Sequence, residues 1–179
     1  RLATGTTPAD IPHPYPRKNF DLYERNRMAQ DAFMAGLCPI ALAMEEIVAV
    51  LNSTGLRTAD ELLLVGRGWP AVALLLLSAR LPRVAGCCLA GLPESYDTWL
   101  RAGYAMLPYD FIVPGLAAAA DLPDVIRSRP RTRYALYEPI VHDQPRAGYD
   151  DAEAFGNVRL FAKETAATQR DGLAFAAEG

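Results

Sequence analysis

Histidine is nearly missing from this chain: His13 and His142 are the only two in 179 residues. Its three cysteines, Cys38, Cys87 and Cys88, have no metal-ligand spacing between them or with the histidines, so a zinc site is excluded. Adjacent residues of a strand point to opposite faces, which rules out a Cys87–Cys88 disulfide. The cysteines read instead as small apolar residues of a reducing compartment. Charge of one sign is also lacking. Eighteen Lys and Arg against 21 Asp and Glu leave a net charge of −3, which gives no electrostatic footprint for nucleic acid. The longest apolar run, residues 71–77, is closed by Ser78 and Arg80, far short of the roughly 20 apolar residues of a bilayer span. The chain begins at Arg1 without a secretory pattern. Removal of an organelle-targeting segment is one expectation that fits this start, and an incomplete start is the other.

What is present is the composition of a globular domain: 51% hydrophobic and 22% charged residues, in a length that suits one domain. Residues 1–20 hold Pro8, Pro12, Pro14 and Pro16 with Tyr15 and Phe20. Proline at that density disfavours helix and central strand, so an extended arm is expected. Tyr15 and Phe20 would be its apolar anchors on a partner chain, with Arg17 and Lys18 as rim contacts. Residues 21–55 read as helices. Asp21 is the expected N-cap, Pro39 breaks the run, and a second helix over 40–51 buries Leu42, Met44, Ile47, Val48 and Leu51. Asn52-Ser53-Thr54-Gly55 ends it.

Residues 56–164 alternate strand-like and helix-like stretches. Strands are expected at 62–65, 84–89, 104–107, 109–113, 133–141 and 157–163. Helices are expected at 69–80, 93–100 and 122–128, the last capped by Asp121. This alternation predicts an α/β fold: a Rossmann-like, mostly parallel sheet with helices on both faces, preceded by the arm and the N-terminal helices. The tail, 165–179, is Ala-rich and polar, and helical or frayed.

Residues 60–90, DELLLVGRGWPAVALLLLSARLPRVAGCCLA, have the layout of a nucleotide-binding β-α-β unit, with Gly66-Arg67-Gly68 at the first turn. With YDFIVPG (109–115), RYALYEPIV (133–141) and FGNVRLFAKE (155–164), the order resembles the class I, Rossmann-like S-adenosylmethionine-dependent methyltransferases over about 58–164. The resemblance implies a cofactor site at Gly66, Gly68 and Cys88, and an antiparallel last strand. It also shows that site to be degenerate. Leu64 stands at the acid position of the first motif, Pro70 at the third glycine, and Cys88 at the acid that binds the ribose hydroxyls. Pro70 removes a backbone N–H, and a thiol cannot accept two hydroxyl hydrogen bonds as a carboxylate does.

Other chemistry is weaker. His142-Asp143 reads as a solvated turn rather than a base and its orienting acid. Glu94 and Asp97 read as capping or solvated acids rather than a carboxylate pair. Glu138 reads as a structural ion pair with Arg133 or Arg159. Gly66-Arg67-Gly68 lacks the lysine and further glycines of a phosphate loop. No catalytic residue is assigned, and neither a metal nor a cofactor is expected. The sequence therefore points to a non-catalytic methyltransferase-like domain, a structural or accessory subunit of a larger assembly of proteins, with the mitochondrion as its expected compartment. One alternative is an active methyltransferase with a divergent cofactor loop, using S-adenosylmethionine. Another is a nucleotide- or small-molecule-binding α/β protein of a different family.

Overall fold

The computed structural model describes residues 17–56, 60–101, 107–140 and 156–178. Helix α1, Arg17–Met34, and helix α2, Pro39–Ser53, are set at 87° to each other. Pro39 is the pivot. It occupies the first turn of α2, where its missing N–H costs no hydrogen bond and its fixed φ suits the helix. Helix α1 already begins at Arg17, so the last four residues of the expected arm, Arg17, Lys18 and Phe20 among them, are helical. Pro16 is the last proline of the N-terminal run, and no further helix breaker of that kind follows before Pro39. Tyr15 and the rest of the arm lie outside the described residues.

Four strands, β1 Leu62–Arg67, β2 Val84–Ala90, β3 Arg133–Tyr137 and β4 Val158–Phe161, form one sheet in the order β1-β2-β3-β4. Every pair is parallel, with Leu64 beside Cys87, Cys87 beside Tyr134, and Tyr134 beside Val158. The fold is therefore α/β with an all-parallel described sheet, as the alternation predicts. The expected antiparallel return at 157–163 is corrected: β4 runs parallel to β3. The stretch between them exceeds the dozen residues that a parallel crossover needs.

Helix α3, Trp69–Arg80, covers one face of the sheet. Ala71 to Leu75, Leu77 and Ser78 are all buried, while Leu76 is partly exposed. Beneath it lie Leu64, Cys87, Leu89, Tyr134, Leu136 and Val158, with α2 stacked outside. One polar pair is buried in this layer. Ser78 Oγ donates to the Leu75 carbonyl at 2.6 Å. Its single proton is thereby used, so the Tyr134 hydroxyl, 3.0 Å away, is the donor to Ser78. Short helices α4 (Tyr96–Arg101), α5 (Leu116–Ala119) and α6 (Leu122–Arg127) complete this side. Asp121 caps α6 as expected, in a reciprocal capping box with Asp124, and also accepts the Tyr96 N–H at 2.8 Å.

Residues 109–113, expected as a strand, form instead a 3-10 turn, Tyr109–Phe111, followed by extended residues. Helix α1 holds that turn in place. Arg25 Nε donates to Asp110 Oδ2 at 2.8 Å, and the Tyr109 N–H donates to Asn26 Oδ1 at 2.9 Å. Two more of its N–H groups are spent locally, Phe111 on the Pro108 carbonyl and Ile112 on the Tyr109 carbonyl, each at 3.0 Å, so they are not available to a ladder. The strand expected at 104–107 lies outside the described residues, apart from Leu107.

On the second face, among the described residues, helix α7, Ala166–Ala177, packs over β2, β3 and β4. Thr165 caps it, accepting the Thr168 N–H at 3.2 Å while Thr168 Oγ1 accepts from the Thr165 N–H at 2.8 Å. Phe175 buries its ring under Arg159 and Arg133, whose guanidinium carbons lie 4.4 and 5.1 Å from its centroid. Among the described residues, no single helix is long and apolar enough to cross a membrane.

Candidate functional site

Ligands of open parallel sheets sit outside the carboxyl ends of the strands. Here the first three strands leave the sheet through residues of positive φ: Gly68 at 68°, Gly91 at 63° and Glu138 at 44°. Each keeps one more ladder bond. The Gly68 N–H donates to Ala90 O at 2.8 Å, Gly91 to Tyr137 O at 2.8 Å, and Glu138 to Phe161 O at 2.9 Å. The chain thus turns sharply in register at three adjacent positions. Glu138 does so with a Cβ, a strained conformation.

A cleft of about 290 Å³ opens beside these turns, lined by Val65, Arg67, Cys88, Tyr137, Glu164 and Leu173 among others. Arg67 spans its mouth, 2.6 Å from Glu164 Oε2 and 3.5 Å from Glu138 Oε2. Glu164 is fixed by Gln169 Nε2, which donates to its Oε1 at 2.8 Å, and its own N–H donates to Glu138 Oε1 at 3.1 Å. The result is one guanidinium between two carboxylates. The Arg67 side chain is 69% exposed, so the cluster orders the rim more than it stabilises the fold.

The three residues expected at a degenerate cofactor site come together here. Gly66 and Cys88 line the cleft and Gly68 forms the adjacent turn. Burial pushes the Cys88 thiol up from its ordinary value, opposed by the neighbouring Tyr137 hydroxyl, so it is a neutral thiol rather than a nucleophile. Burial likewise raises Tyr137. The start of α3 offers little to an anion: Pro70 has no N–H, and the Ala71 N–H is already donated to Gly68 O at 2.9 Å. Glu138 is in an ion pair, but with Arg67; Arg133 and Arg159 stack on Phe175 instead. Glu94 is buried ahead of α4, whereas Asp97 is exposed and pairs with Arg101 at 2.6 Å, so the two form no carboxylate pair. His142 and Asp143 lie outside the described residues. The far wall of the cleft, Glu164, Gln169 and Leu173, was not legible as a site. Its one local signal, Thr165 three residues before Thr168, marks a helix start and nothing more.

No protein-family model matches the chain, and neither a curated protein nor a solved structure matches it.

Proposed function

We propose that this chain is a non-catalytic α/β domain, a structural or accessory subunit of a larger protein assembly. The carrying observation is Gly68, held at φ 68° and ψ −144° between β1 and α3. A sharp, strained turn from strand to helix at the carboxyl edge is the setting in which α/β-hydrolase folds present a nucleophile, with an acid and then a histidine following along the chain. Here the apex residue has no side chain. Among the described residues, the groups that gather beside the turn from later in the chain are Glu138 and Glu164, both tied to Arg67. A carboxylate can act as nucleophile or base, but both of these are held in ion pairs with Arg67 rather than free to react.

The methyltransferase resemblance draws on the same turn, and its departures support the same conclusion. Pro70 and the neutral thiol of Cys88 stand where S-adenosylmethionine would need a close backbone and a carboxylate. A parallel sheet with its carboxyl-edge turns intact, but without a free reactive group among the described residues there, leaves its surface as the part available for use.

Two measurements on the purified chain test this. Titration calorimetry with S-adenosylmethionine should show no binding near ~1 μM, about −8 kcal/mol; affinity at that level replaces the proposal with the methyltransferase reading. Hydrolysis of p-nitrophenyl acetate should not exceed that given by an equal amount of unfolded chain. Saturable turnover would make the domain a hydrolase.

A further inference from the structure

Strand β1 stands at the edge of the described sheet. Its Leu62 N–H reaches the carbonyl of Arg83, the residue before β2, and just beyond its end the Gly68 N–H reaches Ala90 O, each at 2.8 Å. Backbone groups alternate along a strand, so those of Leu63, Val65 and Arg67 point away from β2, to the open side. The same residues, with Glu61, form an exposed row on the face that α7 leaves uncovered. Leu63 is 40% and Val65 64% exposed. Parallel strands are ordinarily buried on both faces and edges are ordinarily blunted by charge, proline or a bulge in the edge strand. From Leu62 to Val65 this edge carries neither charge nor proline, and the register shift at Leu62/Leu63 places its extra residue, Ala85, in β2 rather than in the edge strand.

The sequence of the row specifies what fits it. Glu61, Leu63, Val65 and Arg67 read acid, apolar, apolar, base, which is self-complementary when reversed. Two copies related by a twofold axis at Leu64 would set Leu63 against the partner's Val65 and Glu61 against the partner's Arg67, each pair twice. Shifting the axis by one residue in either direction sets an apolar residue against a charge: Glu61 against the partner's Val65, or Leu63 against the partner's Arg67. Register is fixed by such matching on one face. Arg67 meets Glu164 and Glu138 through its two terminal nitrogens, and its Nε has no partner among the described residues.

We propose that the open edge of β1 pairs antiparallel with β1 of a second copy of this chain, joining two four-stranded sheets into one across a twofold axis at Leu64. The contact is isologous, so it closes at two copies. It stands on the edge geometry alone and does not depend on the domain being non-catalytic.

Light scattering coupled to size exclusion, on the full chain, tests it. The wild type should be a dimer. Val65→Lys and Leu63→Lys should be monomers with an unchanged far-ultraviolet circular dichroism spectrum, because both sites are exposed in the single chain. Val50→Lys, at an exposed apolar site on α2, should stay dimeric. Glu61→Lys should raise the dissociation constant roughly tenfold or more, since it sets like charges opposite each other twice. A monomeric wild type means that this edge is covered by something other than a second copy, and overturns the proposal. A dimer that survives Val65→Lys and Leu63→Lys overturns it equally, and an unchanged constant in Glu61→Lys overturns the register.

Discussion

Gly86 of β2 lies directly against the backbone of Ala176 in α7: a Cβ on Gly86 would stand 2.2 Å from the Ala176 carbonyl oxygen. A second such contact lies nearer the start of the helix, where a Cβ on Gly172 would meet the Tyr137 hydroxyl at 1.7 Å. Helix α7 can therefore approach the sheet only where side chains are missing. This close approach buries Cys88, Ala90 and Ala135, residues too small to reach a helix held at an ordinary distance.

Gly86→Ala should therefore push α7 off the sheet and cost about 1–3 kcal/mol, the usual range for overpacking. Denaturant unfolding measures it. Gly68→Ala is the comparison: nothing lies within 4 Å of its added Cβ, so its cost should come from the backbone conformation alone, φ 68° with ψ −144°, about 1–3 kcal/mol.

Leu75 has no exposed surface and sits in the middle of α3. Leu75→Ala should cost about 2–5 kcal/mol, as core truncations do. Leu76→Ala should cost visibly less, because Leu76 is the one apolar residue of that run left partly exposed. Equal losses at the two positions would place α3 wrongly.

The cysteines should separate by reactivity. Burial pushes Cys87 up to about 12, and Cys88 is raised for the same reason. At pH 8 both are thiols, so a thiol reagent should label only the half-buried Cys38 until the protein unfolds. The folded state favours the neutral form of Cys87. Its contribution is complete below the unfolded value of about 8.5 and is lost as pH rises from there toward 12. Stability measured across that range should fall, and Cys87→Ala should flatten the fall.

The cap of α6 should respond to acid. A hydrogen bond from the Asp121 backbone N–H, 3.0 Å from Asp124 Oδ2, holds the Asp124 carboxyl below its ordinary value, with Arg127 assisting. Its contribution is present above pH about 3.9 and disappears as pH falls below that. An NMR titration should find the Asp124 carboxyl changing at lower pH than an unperturbed aspartate. Asp121→Ala should cost about 1–2 kcal/mol, at the upper end for N-caps, because Asp121 also accepts from Ser95 and from the Tyr96 N–H.

Much of the fold can be read from residues whose local chemistry has one outcome. An apolar run between Gly-x-Gly and Leu-Pro became α3 over the expected span, and Asp121 capped the expected helix. The direction of β4 was not legible, because a half-buried strand has the same alternation whether its neighbour is parallel or antiparallel. Residues 109–113 misled for a different reason. Their apolar content is that of a strand, but Asp110 is spent on Arg25, 85 positions away. The cleft was half legible. Its floor at Gly66, Gly68 and Cys88 lies within the β-α-β unit, whereas the partners of Arg67 arrive from the residue after β3 and from the residue before the Thr165 cap of α7. Arg67 itself reaches out of the turn to these two acids.

The order β1-β2-β3-β4 follows the order of synthesis. No strand has to be threaded between two that already pair, and each can add to the growing edge as it leaves the ribosome, with α7 arriving last to seal the bare face. Assembly in this sheet can keep pace with translation, and among the described strands the first one laid down keeps an open edge from start to finish.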